Sequence, residues 1–188
     1  MNIFLDPGHG MSNRKPGVYD PGATVRVGKE DVTEAGIVMA WANELRALLM
    51  AQGHTVIRSR KDMLDPAPLG DRVEDAHHFK CDVLVSLHCN AANGKANGTE
   101  TFFRGERNRT LAQRCNDAVV NALGTRNRGV KTESASQHAR LAVLAFPRAV
   151  LIELGFIDHP GDRALLLDPK KMLQACDALC DAITGTNS

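Results

Sequence analysis

Three runs of this chain are almost uninterruptedly apolar, and each runs into a residue able to bind a metal or move a proton. Ile3-Phe4-Leu5 stops at Asp6-Pro7-Gly8-His9, Val83-Leu84-Val85-Ser86-Leu87 stops at His88, and Ala149-Val150-Leu151-Ile152 meets Glu153. A strand with one wet face alternates apolar and polar residues. Strands as continuous as these are covered on both faces, as in a parallel sheet with helices on either side. Asp-Pro-Gly ends the first run abruptly, because proline lacks a donor and glycine tolerates backbone angles that other residues avoid.

The intervening segments supply the helices. Asp31-Val32-Thr33-Glu34 leads into Ile37, Val38, Trp41, Leu45, Leu48 and Leu49, an amphipathic helix closed by Gln52-Gly53. Asp31 reads as its N-cap, with Glu34 at the third helical position in a near capping box. His54 to Ser59 is a second strand, and strand-helix-strand at this spacing implies a right-handed parallel crossover. Leu69 to Phe79 reads as a helix carrying Arg72 and the surface pair His77 and His78. Gly98 to Phe103 reads as a strand and Asn108 to Leu123 as a helix with Leu111, Cys115, Val119 and Leu123 inward. Leu141 to Leu144 reads as a short strand. Pro169 to Ile183 closes the chain as a helix with Met172, Leu173, Cys176, Leu179, Cys180 and Ile183 on one stripe. Met11 to Lys29 and Arg128 to His138 are polar and read as long loops, the usual carriers of function at strand ends. The expected fold is α/β: a single domain over residues 1–188, with a mostly parallel twisted sheet of about six strands flanked by helices on both faces.

Bulk properties narrow the function. Lys+Arg number 23 and Asp+Glu 22, dispersed along the chain, so nothing suggests a nucleic-acid or membrane-surface binder. No run approaches the roughly 20 apolar residues of a membrane span, and the N-terminus lacks the pattern of a signal peptide. The expectation is a protein made in the cytoplasm. The five cysteines form no CxxC pair and read as reduced thiols, Cys176 and Cys180 being buried four apart on a helix. No Gly-x-Ser-x-Gly elbow, phosphate loop or dinucleotide fingerprint is present. Cys89 follows His88 on a strand, so the two side chains point apart and Cys89 is neither a fellow ligand nor a nucleophile.

Loops at the carboxyl ends of parallel strands converge on one crevice. If the three apolar strands are parallel, His9, His88 and Glu153 meet there, and the helix beginning near Glu34 adds a second carboxylate. Two histidines and a carboxylate around an open position are the ligand set of a catalytic zinc site, and a second, non-ligating carboxylate serves as general base. Glu34, beside a flexible loop, suits the ligand role. Glu153, embedded among apolar residues, suits a carboxyl with a shifted pKa.

Six segments carry a family resemblance in their order: Asp6-Pro7-Gly8-His9-Gly10, Glu34, Ser86-Leu87-His88-Cys89-Asn90-Ala91, Gly98-Thr99-Glu100-Thr101, Arg128-Gly129-Val130-Lys131 and Ile152-Glu153-Leu154-Gly155-Phe156-Ile157. Together they resemble the zinc-dependent N-acetylmuramoyl-L-alanine amidases of the amidase-3 type, over nearly the whole chain. The resemblance implies that His9, Glu34 and His88 bind Zn2+, that Glu153 is catalytic, and that the substrate is peptidoglycan, cut between N-acetylmuramic acid and the L-alanine of the stem peptide. It implies a phage or prophage endolysin acting on the cell wall after release, a monomer by default, and a shallow groove lined by Met11 to Lys29 and Gly129 to Arg140. No regulatory helical insertion is apparent, which implies an open, constitutively active cleft. Two departures stand out: Cys89 replaces the usual alanine, and Asp158-His159 replaces Ser-Asn, which brings His159 to the cleft edge. The rival readings are a zinc peptidase acting on ordinary peptides and a catalytically silent wall-binding or regulatory module on the same fold.

Overall fold

The chain opens with β1 (Asn2–Pro7) and then makes two small antiparallel ribbons. One pairs β2 (Gly10–Met11) with β3 (Tyr19–Asp20), the other β4 (Thr24–Val27) with β5 (Glu30–Thr33). There follow α1 (Glu34–Ala51), β6 (Thr55–Arg58), α2 (Asp71–His78), β7 (Val83–Asn90), β8 (Thr99–Phe103), α3 (Arg109–Leu123), β9 (Asn127–Thr132), β10 (Ala149–Phe156), α4 (Pro160–Leu167) and α5 (Pro169–Thr184). This is a computed structural model, and it describes residues 1–185.

The central sheet has six strands in the order β6-β1-β7-β10-β8-β9. All its pairings are parallel except β8 with β10. The three apolar runs are therefore the adjacent strands β1, β7 and β10, all pointing the same way. Alternation along them sorts the core into two layers. Ile3, Leu5, Val83, Val85, Leu87, Val150 and Ile152 pack with the buried faces of α1, α3 and α5. Phe4, Leu84 and Leu151 face the opposite side, with Ala76 of α2 and the 3-10 turn Ala142–Ala145. The α/β class, the single layered domain and the parallel sheet agree with the sequence reading; the second face has thinner cover than expected, one short helix and a turn.

Several local expectations are corrected. Met11 to Lys29 is not a plain loop: its strands of two to four residues, mostly exposed and turned at Gly28 (φ +61°), are too short to sustain an apolar period. Because β5 reaches Thr33, the α1 N-cap is Thr33, whose Oγ1 accepts from Gly36 N at 3.2 Å, and Glu34 is the first helical residue. Asp31 belongs to the ribbon, where it pairs with Arg26 at 2.9 Å. Arg128 to Thr132 belongs to an edge strand rather than a loop, and its polar content reflects that half-wet position. Leu141 to Leu144 forms the 3-10 turn instead of a strand, with Val143 and Leu144 buried. The helix α4 was unforeseen because it starts with Pro-Gly; Pro160 occupies its first turn and the His159 side chain caps it. Leu173 leaves the α5 stripe and is 47% exposed.

Candidate metal centre

The carboxyl end of β1 is held by two buried arginines. Arg60 Nε donates to the Pro7 carbonyl (3.0 Å), and its Nη2 donates to the carbonyls of Gly8 (2.9 Å) and Ala35 (3.0 Å). Arg72 Nη2 donates to the His9 carbonyl (2.9 Å), while Nη1 meets Asp6 Oδ1 at 2.7 Å. Three successive carbonyls that leave the sheet thus find charged donors, which allows the turn to be buried. The Asp6 carboxylate also accepts from Ser86 Oγ (2.6 Å) and Ser59 Oγ (2.7 Å). Burial alone would raise its pKa, but Arg72 and the two hydroxyls hold it below the usual aspartate value. Clamped in this way, His9 takes a left-handed backbone (φ +62°) that a non-glycine residue rarely adopts.

His88 emerges from β7 next to this turn. The ring lies so close to the Gly8 backbone that a Cβ there would sit 2.3 Å from His88 Cε1, so only glycine fits. Glu34, at the first turn of α1, bridges the two histidines. Its Oε2 is 3.0 Å from His9 Nε2, and its Oε1 is 2.9 Å from His88 Nδ1. Backbone N–H groups of Ala23 (2.9 Å) and Cys89 (3.0 Å) fix the same two oxygens. Burial raises the pKa of Glu34, yet the two histidines draw it far below the usual range, so it stays ionised. On its other side, His9 Nδ1 meets Asp20 Oδ2 at 3.1 Å. That carboxylate is itself oriented by Asn13 Nδ2 (2.6 Å) and Gly22 N (2.9 Å).

One donor atom from each of His9, Glu34 and His88 lies within 4.8 Å of the others. Two imidazole nitrogens and a carboxylate oxygen suit a first-row divalent ion, and the carboxylate on the outer nitrogen of His9 is the usual device for orienting a ligating imidazole. The cluster can therefore hold a metal.

Glu153 pairs with His88 in the register of β10 and β7, and with Glu100 in the register of β10 and β8. Its Oε2 is buried without a hydrogen-bond partner. Burial, with Glu34 and Glu100 adding like charge, pushes its pKa well above the ordinary glutamate value. Beyond Glu153 the pairing with β7 slips by one residue, so that Phe156 opposes Asn90. This bulge at Leu154-Gly155 lets Glu153 and Phe156, three apart in sequence, face the same cleft.

The cleft has a volume of about 750 Å³ and contains His9, Glu34, His88 and Glu153 together. Its walls include Asn13, Arg14 and Ala23 from the first ribbon region and Lys131, Ala135 to His138 and Arg140 on the far side, within the two segments the sequence reading placed there. His159 does not line it: its Nδ1 accepts from Asp162 N at 3.2 Å, as the cap of α4. Cys89 is buried in the core away from His88, and burial with nearby carboxylates raises its thiol well above the ordinary value. The sequence reading missed the supporting residues Arg60, Arg72 and Asp20. Nothing in their local sequence separates them from surface charges, since their partners lie up to 66 residues away.

Comparison with known proteins identifies the family. The family model described as N-acetylmuramoyl-L-alanine amidase matches residues 3–185. The chain is 35% identical, over 94% of its length, to an uncharacterized cell wall amidase of Bacillus anthracis, of which it spans 34%. It is 32% identical, over 96% of its length, to the protein YqiI of Bacillus subtilis, of which it spans 82%. Among solved structures, an N-acetylmuramoyl-L-alanine amidase from Clostridium difficile 630 superposes with a TM-score of 0.83 at 28% identity, covering 98% of this chain and 95% of that one. On that match over nearly its whole length, the chain belongs to the N-acetylmuramoyl-L-alanine amidase family of the amidase-3 type.

Proposed function

We propose that the protein is a zinc-dependent peptidoglycan hydrolase that cleaves the amide between N-acetylmuramic acid and the L-alanine of the stem peptide. The observation that carries this reading is the unpartnered, buried Oε2 of Glu153, on the strand beside a His-Glu-His cluster that can hold a metal. His9, Glu34 and His88 would be the zinc ligands. Bound there, zinc supplies a Lewis acid for the scissile carbonyl and acidifies water.

The protein's own residues do the rest. Asp20 keeps His9 turned toward the centre, and the arginine clamps keep the β1 turn from relaxing. Glu153 accepts the proton of the attacking water at its carboxylate and delivers it to the leaving alanine nitrogen. Burial raises its affinity for that proton, while a neighbouring cation would lower it, and a carboxyl poised between the two can act in both directions. The cleft is a groove open to loops on two sides, which suits a polymeric substrate. All four residues come from one chain, so a monomer suffices. No helix among the described residues is long and apolar enough to cross a membrane.

Digestion of purified peptidoglycan, compared with digestion of casein, tests the reading. Release of intact stem peptides with a new N-terminal alanine is expected. Cleavage of casein with no new alanine terminus would instead make it a peptidase, and peptidoglycan binding without any product would make it a silent wall-binding module.

A further inference from the structure

The cleft wall opposite the histidines carries a second cluster, formed by Glu100, Arg128 and Lys131. Arg128 and Lys131 are three apart on β9, a spacing that places side chains on opposite faces of a regular strand. The pairing of β9 with β8 slips by one residue, however: Thr99 opposes Asn127, but Thr101 opposes Val130. The extra residue falls at Gly129, whose φ of +80° glycine tolerates. Both cations consequently reach Glu100 Oε2, Arg128 through Nε at 2.9 Å and Lys131 through a close contact of its ammonium.

This arrangement leaves donors to spare. Glu100 is 6% exposed and also accepts from Asn90 Nδ2 at 2.9 Å, and its carboxylate is held ionised against burial by the two cations. Two positive groups face one negative group, which leaves a surplus positive charge. The Arg128 guanidinium is held from two sides, at Nε by Glu100 and on its face by the Phe156 ring, 4.9 Å away. Its Nη1 meets only the Asn97 carbonyl, at 3.4 Å, and no protein partner at Nη2 is found among the described residues. A rigid arginine with a free edge on a cleft wall is built to take a planar anion.

We propose that Arg128 and Lys131, anchored by Glu100, form a subsite for a carboxylate of the stem peptide. The proposal rests on the amidase reading for the identity of the ligand. Both side chains reach back to Glu100, which opposes Glu153 on the neighbouring strand, so the subsite stands one strand spacing, ~5 Å, from Glu153. That is between one and two residues of extended peptide. The second stem residue, a glutamate linked through its side chain, leaves its α-carboxyl free or amidated, and the subsite selects the free form.

The test is calorimetric binding of L-alanyl-γ-D-glutamyl-L-lysine, with the glutamyl α-carboxyl either free or as the carboxamide, to the purified full chain and to Arg128→Gln and Lys131→Gln. The wild type is expected to bind the carboxylate peptide about tenfold more tightly, in the range of a charge-assisted hydrogen bond. Each variant should reduce that preference below about threefold, and Lys131→Gln carries the test if Arg128→Gln fails to fold. Equal binding of the two peptides by the wild type, no binding of either, or a preference that persists in both variants would overturn the proposal. Carboxylate-selective binding by a protein that leaves peptidoglycan intact would uphold the subsite and remove the amidase reading. Hydrolysis without carboxylate preference would do the reverse.

Discussion

Glu153 stands level with His88 on the neighbouring parallel strand, so the proposed proton carrier and one proposed metal ligand are fixed to each other by sheet hydrogen bonds rather than by a loop. Rigid placement of this kind preserves reacting distances. Glu153→Gln should therefore leave the fold and the metal content intact and lower peptidoglycan hydrolysis by about 10²- to 10⁴-fold, the usual contribution of general acid–base catalysis. Rates on purified peptidoglycan, with zinc content measured alongside, check this; a variant as fast as wild type would remove Glu153 from the chemistry.

Thr33 and Glu34 are adjacent and separate structural from functional loss. Thr33 caps α1, so Thr33→Ala should cost about 1 kcal/mol in denaturant unfolding and leave hydrolysis nearly unchanged. Glu34 faces both histidines, so Glu34→Ala should remove most activity whatever its effect on stability. Similar activity losses for the two variants would return Glu34 to a role in the helix start.

The support around His9 should be felt in metal affinity. Asp20→Ala removes the partner of His9 Nδ1 and is expected to weaken zinc binding by about 10- to 100-fold in a competition titration with a chelating dye. Gly22→Ala should do at least as much damage. Its backbone has φ +65°, and a Cβ would lie 2.6 Å from Glu34 Oε2 and 2.7 Å from His9 Cδ2. Unchanged affinity in both variants would mean that this shell does not orient the histidine.

Asp6 and Arg72 make stability depend on acid. The Asp6 carboxyl has its pKa lowered in the folded state, so the stability it contributes is fully present above the ordinary aspartate value, about 3.9, and is lost as pH falls through the lower folded value. Asp6→Asn should flatten that acid limb of the unfolding free energy. Arg72→Met strands a buried carboxylate and should cost about 3–5 kcal/mol at neutral pH. An acid limb identical in Asp6→Asn and wild type would contradict the assignment.

How much of this was legible in the sequence follows from how local each signal is. The apolar runs ending at His9, His88 and Glu153 announced buried parallel strands because the residues that make them buried are their own, and parallel direction brought the three ends together. The ribbons before Thr33 and the edge strand β9 were hidden, since polar, partly exposed strands of a few residues are too short to sustain an apolar period. The bulges at Gly155 and Gly129 decide which side chains enter the cleft, yet each is a relation between two strands and leaves no local mark beyond a glycine. Arg60 and Arg72 look like surface charges in sequence and prove fully buried, because the carbonyls they satisfy belong to a turn far away in the chain.

The central claim, a metal held by His9, Glu34 and His88 for amide hydrolysis, is tested most directly by elemental analysis of protein purified without added metal. The account predicts about one zinc per chain in the wild type and in Glu153→Gln, and loss of that zinc in His9→Ala and His88→Ala. A wild-type protein without stoichiometric metal, whose peptidoglycan hydrolysis survives a chelator, would contradict it.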